Sequence, residues 1–214
     1  MKFMTPALAI LALLCASASA WAWDEGGSFG QRFADRNCAW CHGPSLQGFT
    51  TAPRLAGQRA EYLENQLHSF QDHARDNPFS QQYMWGAAAR LSPVTVGALA
   101  HYLSGLDAEP ANDGDSRLTT AGEAIYQQGI QGSNIPACVA CHGPNGEGVG
   151  AIPRLGGLSF YYLKRKLGQW GEGYHAAALA PMPEVASKLS PSDIDAIASY
   201  LSFVAVADDE HKQH

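Results

Sequence analysis

Apolar residues fall at helical spacing in two matching sets along the chain. Leu63, Leu67 and Phe70 stand at i, i+4, i+7, and Leu163, Leu167 and Trp170 repeat the arrangement. Such a stripe marks one face of an amphipathic helix. Further on, Val96, Leu99, Leu103 and Leu106 recur at i, i+3, i+7, i+10, as do Ile194, Ile197, Leu201 and Val204. A Ser-Pro pair precedes each of these stripes, Ser92-Pro93 and Ser190-Pro191, and reads as an N-cap followed by a proline at the first helical position. Shorter helices are expected over 29–36 and 121–128. No run alternates with period two, so the fold class predicted is all-α.

The helices repeat because the chain does. At an offset of 100 residues, Cys38-Ala-Trp-Cys41-His42-Gly-Pro aligns with Cys138-Val-Ala-Cys141-His142-Gly-Pro, and Pro53-Arg54-Leu55-Ala-Gly57 with Pro153-Arg154-Leu155-Gly-Gly157. Beyond Trp170 the offset becomes 98, pairing Met84 with Met182 and Tyr102-Leu103-Ser104 with Tyr200-Leu201-Ser202. One copy spans roughly 80 residues, the size of a small domain rather than of a solenoid repeat. The division expected is an N-terminal domain over 23–106, a linker over 107–120, a C-terminal domain over 121–206 and a polar tail over 207–214.

Residues 1–22 stand apart. Lys2 precedes an apolar run from Ala7 to Leu14 and then small residues, the pattern of a secretory signal peptide cleaved after Ala20 or Ala22. The run is too short to span a bilayer. Cys15 leaves with it, as do Met1 and Met4, and an exported, periplasmic protein is expected. The formal net charge of −6 offers no basic field for nucleic acid, and the acidic excess lies in 107–120 and in the tail.

Every cysteine after the signal lies in a C-x-x-C-H motif, the pattern of c-type haem attachment. On a helical turn, residues i and i+3 share a face, so two thiols reach the two vinyl groups of one porphyrin and the adjacent His comes under the iron. Cys38, Cys41, Cys138 and Cys141 are the expected attachment residues, with His42 and His142 as iron ligands and two covalent haem c as cofactors. Two disulfides would leave the histidines unexplained. Zinc-ribbon knuckles would sit 15–20 residues apart, and a thioredoxin-like pair would need a preceding strand. The porphyrin also supplies apolar bulk that a domain of this size lacks.

After the signal, Met84 and Met182 are the two methionines, at equivalent positions, each seven residues before a Leu-Ser-Pro helix start. They are expected on loops crossing the open haem face, as sixth ligands. His68, His73, His101 and His175 have no counterparts in the other copy and read as ordinary histidines. Met182 is flanked by Pro181 and Pro183, whereas Met84 sits in Gln-Tyr-Met84-Trp-Gly86. The less constrained Met84 is expected to be displaced first.

These residues carry a resemblance to a family. Each half resembles a class I cytochrome c domain, and the pair, with P-R-L-x-G after C-x-x-C-H-G-P and Met about 40 residues later, resembles the dihaem cytochrome c4 family. The resemblance covers nearly the whole chain after the signal. It implies that the carbonyls of Pro53 and Pro153 accept a hydrogen bond from the proximal histidines, and that Arg54 and Arg154 lie near haem propionates. It implies close packing of the halves about a pseudo-two-fold axis. It also implies an electron carrier, without a catalytic residue, shuttling between a membrane quinol-oxidising complex and a terminal oxidase or periplasmic reductase, with loose membrane association through them. The alternative is a dihaem enzyme, or the electron-entry subunit of a dehydrogenase, with one haem open to substrate.

Overall fold

The structure is a computed structural model that describes residues 29–174 and 181–206. The expected signal peptide, the tail from 207 and His175 lie outside the described residues. In the first half, helix α1 spans 29–37, α2 Ala39–His42, α3 Ala60–Gln71, α4 Trp85–Ala88 and α5 Pro93–Ser104. In the second, α6 spans Thr119–Gln128, α7 Val139–His142, α8 Phe160–Gly171, α9 Met182–Ser187 and α10 Pro191–Phe203. Two isolated bridges, Ile130 with Ile135 and Val149 with Ile152, are the β contacts among the described residues.

The helix starts follow the capping chemistry. The hydroxyl of Ser92 accepts from the Thr95 amide at 3.1 Å. Ser190 accepts from the Asp193 amide, and the Asp193 carboxylate accepts in return from the Ser190 amide, a full capping box. The stripes then close two separate cores. Leu63 of α3 packs with Leu99 and Leu103 of α5 around Leu46, and Leu163 of α8 with Ile197 and Leu201 of α10 around Leu158.

In each half the first helix crosses the last at close range through a glycine. A Cβ at Gly30 would overlap the carbonyl oxygen of Ala98, and one at Gly122 that of Ala196. This pairing shows where the halves diverge: Cys38 follows Gly30 by eight residues and Cys138 follows Gly122 by sixteen. The added stretch forms the turn closed by Ile130 and Ile135.

The segment joining the halves is bound to the second one. The amides of Ala111 and Asn112 donate to the carbonyls of Gly157 (3.1 Å) and Ser202 (2.9 Å). The Asp113 carboxylate accepts from the Phe160 amide at 2.8 Å and the Ser159 hydroxyl at 2.7 Å, capping α8. Much of the stretch expected as a linker is thus structured, and Asp113 has a fixed partner rather than a purely solvated charge.

Candidate functional site

Both C-x-x-C-H motifs form the same local structure. Cys38 and Cys138 precede the single turns α2 and α7, and the carbonyl of each accepts from the amide of the following histidine, at 2.9 Å for His42 and 3.0 Å for His142. Each histidine is followed by a glycine with positive φ, Gly43 at 82° and Gly143 at 81°, a conformation a side chain would disfavour. That glycine turns the chain back beneath the ring: Gly48 and Gly148 donate to the carbonyls of His42 and His142 at 2.8 and 2.9 Å.

All four thiols are free. Cys38 and Cys138 are partly buried, and burial, followed by the neighbouring cysteine in Cys38, pushes both up to about 11. Cys41 and Cys141 are exposed. The set offers no disulfide, and the described residues contain no cluster of His, Cys, Asp and Glu that would hold a bare metal ion.

The histidine rings are buried and oriented. His42 Nδ1 donates to the Pro53 carbonyl at 2.8 Å, and His142 Nδ1 to the Pro153 carbonyl at 3.0 Å. Burial lowers the basicity of both rings, against the raising effect of those carbonyls. A neutral ring that spends its proton on Nδ1 presents a lone pair at Nε2, the arrangement a metal-ligating histidine requires. Two free thiols and one oriented imidazole per half therefore fit a covalently attached haem.

Met84 and Met182 are both half-buried and helical, not in open loops. Met84 closes a π-helical turn, Ser80–Met84, that runs directly into α4. Met182 opens α9, whose early position also takes Pro183, a residue suited to a first turn. The other histidines have ordinary surroundings: His68 bonds Gln71 at 2.9 Å, His73 stacks on Trp85 with centroids 3.9 Å apart, and His101 is exposed on α5.

Arg54 and Arg154 lie between the halves. Arg54 Nε donates to the Gly157 carbonyl at 3.1 Å and its Nη1 to Gln47 at 2.6 Å. Reciprocally, Arg154 Nε donates to the Gly57 carbonyl at 3.0 Å and its Nη2 to Ala56 at 2.9 Å, while Nη1 bonds the Gly156 carbonyl. Arg154 is fully buried; burial, and then the Arg54 charge, lowers it to about 10, which leaves it cationic at neutral pH. The Gln58 amide joins the contact by pairing with both the amide and the carbonyl of Arg154.

A second interface group was not singled out in the sequence. Arg75 bonds Gln66 at 2.6 Å and Tyr162 of the other half at 3.3 Å. Arg165 donates to the Thr51 carbonyl at 2.8 Å and stands over the Phe79 ring at 4.6 Å. Arg75 has no repeat partner of its own charge, so comparison of the two copies passes over it.

The sequence matches the family described as Cytochrome c over residues 28–107 and again over 119–204. It is 39% identical over 176 residues to a thiosulfate dehydrogenase electron acceptor of Stutzerimonas stutzeri, covering 78% of each chain. It is 33% identical over 171 residues to a cytochrome c4 of Pseudomonas aeruginosa, covering 77% of this chain and 82% of that one. Its fold superposes on the cytochrome c4 structure from Acidithiobacillus ferrooxidans with a TM-score of 0.73 at 32% identity, over 78% of this chain and 98% of the other.

Proposed function

The chain belongs to the cytochrome c family, as a dihaem protein of the cytochrome c4 type, and on that premise we propose that both irons are six-coordinate, with His42 and Met84 on one and His142 and Met182 on the other. It is an electron carrier with two covalently attached haem c groups, one per half. Cys38 and Cys41 form the thioethers to the first haem, Cys138 and Cys141 those to the second. Each iron supplies one-electron ferric–ferrous chemistry.

The observation that carries the reading is the matched pair of Nδ1 bonds to Pro53 and Pro153. Those carbonyls hold each ring in one tautomer and orientation and raise its donor strength toward a metal. Met84 and Met182 would supply the remaining ligand to each iron, which would leave no position for a substrate and suit the group to electron transfer.

The protein is periplasmic, and no helix among the described residues is long and apolar enough to cross a membrane. It carries electrons from a quinol-oxidising complex toward a terminal oxidase or a reductase. A second reading, acceptor for a dehydrogenase acting on thiosulfate, is favoured by the relative bearing that name.

A haem count with visible and near-infrared spectra of the purified protein tests the ligation. Two low-spin haems per chain with methionine-to-iron charge transfer are expected. A substantial high-spin ferric fraction at neutral pH would overturn it in favour of an open, enzyme-like haem. Stopped-flow reduction by a thiosulfate-oxidising dehydrogenase, against a quinol-oxidising complex, separates the two donors.

A further inference from the structure

Arg75 and Lys166 gather at one place in the interface, with the Asp76 carboxylate acting on Lys166. Arg75 lies between α3 and the Met84 turn. Its Nη1 and Nη2 are held by Gln66 and by Tyr162 of the opposite half, and its guanidinium lies over the Phe70 ring, 4.9 Å from the centroid. Its Nε is buried and has no acceptor. From α8 of the other half, Lys166 lies over the Trp170 ring at 4.6 Å, and the indole Nε1 of Trp170 is also buried without an acceptor.

Buried donors are nearly always satisfied, and a buried cation left uncompensated is costly. The imbalance shows in Lys166: burial, then the charge of Arg75, pushes it down to about 5 against the opposing pull of Asp76. The cluster also lies against the Met84 turn, since the Trp85 indole Nε1 donates to the Arg75 carbonyl at 2.9 Å. Arg54 and Arg154 spend donors on backbone carbonyls of the interface. Arg75 is left with a buried donor lacking an acceptor, beside the Met84 turn and with Lys166 close by.

We infer that Arg75, joined by Lys166 from the opposite half, is the positioning residue that pairs with the propionate carboxylates of the first haem, so that the C-terminal domain supplies part of the field that sets the N-terminal potential. The inference rests on His42 as the proximal ligand of that haem. Positive charge beside the carboxylates offsets their field and opposes the extra positive charge of the ferric state, which favours reduction. The repeat is asymmetric here: the position equivalent to Lys166 is Gln66, the neutral residue that bonds Arg75.

Optically monitored redox titration of the holoprotein tests this, with the C-terminal step identified as the one displaced in Met182→His. In Arg75→Gln the first-haem reduction equilibrium is expected to fall at least tenfold, a shift of 59 mV for one electron, with the second step moving less. Arg75→Lys should recover part of the loss. Lys166→Gln should lower the first-haem step severalfold although it changes the other domain, and it serves as the deciding variant if Arg75→Gln fails to fold or to take up haem.

First-haem equilibria within twofold of the parent in the folded variants, or equal movement of both steps, would overturn the inference. The parent's spectrum separates this failure from that of the ligation: low-spin, methionine-ligated haems whose potentials ignore Arg75 and Lys166 leave the ligand assignment standing.

Discussion

Arg154 Nε donates to the carbonyl oxygen of Gly57, 97 residues earlier in the chain, at 3.0 Å. Arg54 makes the mirrored bond to Gly157 at 3.1 Å. Residue i of one half bonding residue j of the other, with j's counterpart bonding i's, is the signature of an isologous contact about a two-fold axis. The duplicated P-R-L-x-G segment therefore joins the two haem domains through itself. The contact is not evenly loaded: Arg154 is fully buried with its guanidinium on three carbonyls, whereas Arg54 is partly exposed.

That asymmetry predicts unequal costs of mutation. Arg154→Leu leaves buried carbonyls of Ala56, Gly57 and Gly156 without their donor and should cost about 3 kcal/mol or more, while Arg54→Leu should cost less. Arg154→Lys should not restore stability, because an ammonium cannot reproduce the planar fork. Denaturant unfolding of the holoproteins, followed by circular dichroism and by the haem bands, measures both the loss and any separation into two transitions.

The cap on α8 sets the tightness of the join between domains. Removing the Asp113 carboxylate frees the Phe160 amide and the Ser159 hydroxyl, so Asp113→Ala should destabilise the C-terminal domain by about 1 kcal/mol. Asp113→Asn, which keeps an acceptor, should cost less. The same unfolding experiment, read at the C-terminal haem, checks this.

Ligand displacement should distinguish the two methionines. Met84 lacks the flanking prolines of Met182, so imidazole added to the ferric protein should displace it first. Its segment is also held from the other half, by Arg165 over Phe79 and Tyr162 against Arg75. Arg165→Ala should therefore lower the imidazole concentration for the Met84 step about threefold and leave the Met182 step unchanged. Near-infrared titration of the methionine-to-iron band, with Met84→Ala and Met182→Ala as single-band references, reads both steps; the opposite order would refute the prediction.

Haem attachment should be separable by half. Cys138→Ala/Cys141→Ala is expected to reduce haem content from two to one per chain and to lose the helical signal of α6 to α10, because a domain of this size has a marginal core without its porphyrin. Pyridine haemochrome quantitation together with far-ultraviolet circular dichroism measures the two effects.

Much of this was legible in the residue pattern because the signals are local or duplicated. The stripes at 63–70 and 163–170, the Ser-Pro helix starts and the C-x-x-C-H turns each depend on neighbours within a few residues. Duplication then raised the paired methionines above the other candidates. The expected carbonyl acceptors, Pro53 and Pro153, came from family resemblance, and both lie within bonding distance of their histidines.

The sequence by itself thus determined the helical class, the two-domain repeat and the paired C-x-x-C-H motifs, since those depend on periodicity and short spacing. Tertiary structure alone decided what faces what across the interface. Arg54 and Arg154 reach backbone carbonyls of the opposite half, Asp113 caps a helix 47 residues away, and Arg75 meets Tyr162 across 87 residues. Periodicity carries no record of such partners, because a backbone carbonyl has no side-chain identity and a buried cation finds its counterpart only when two domains close on each other.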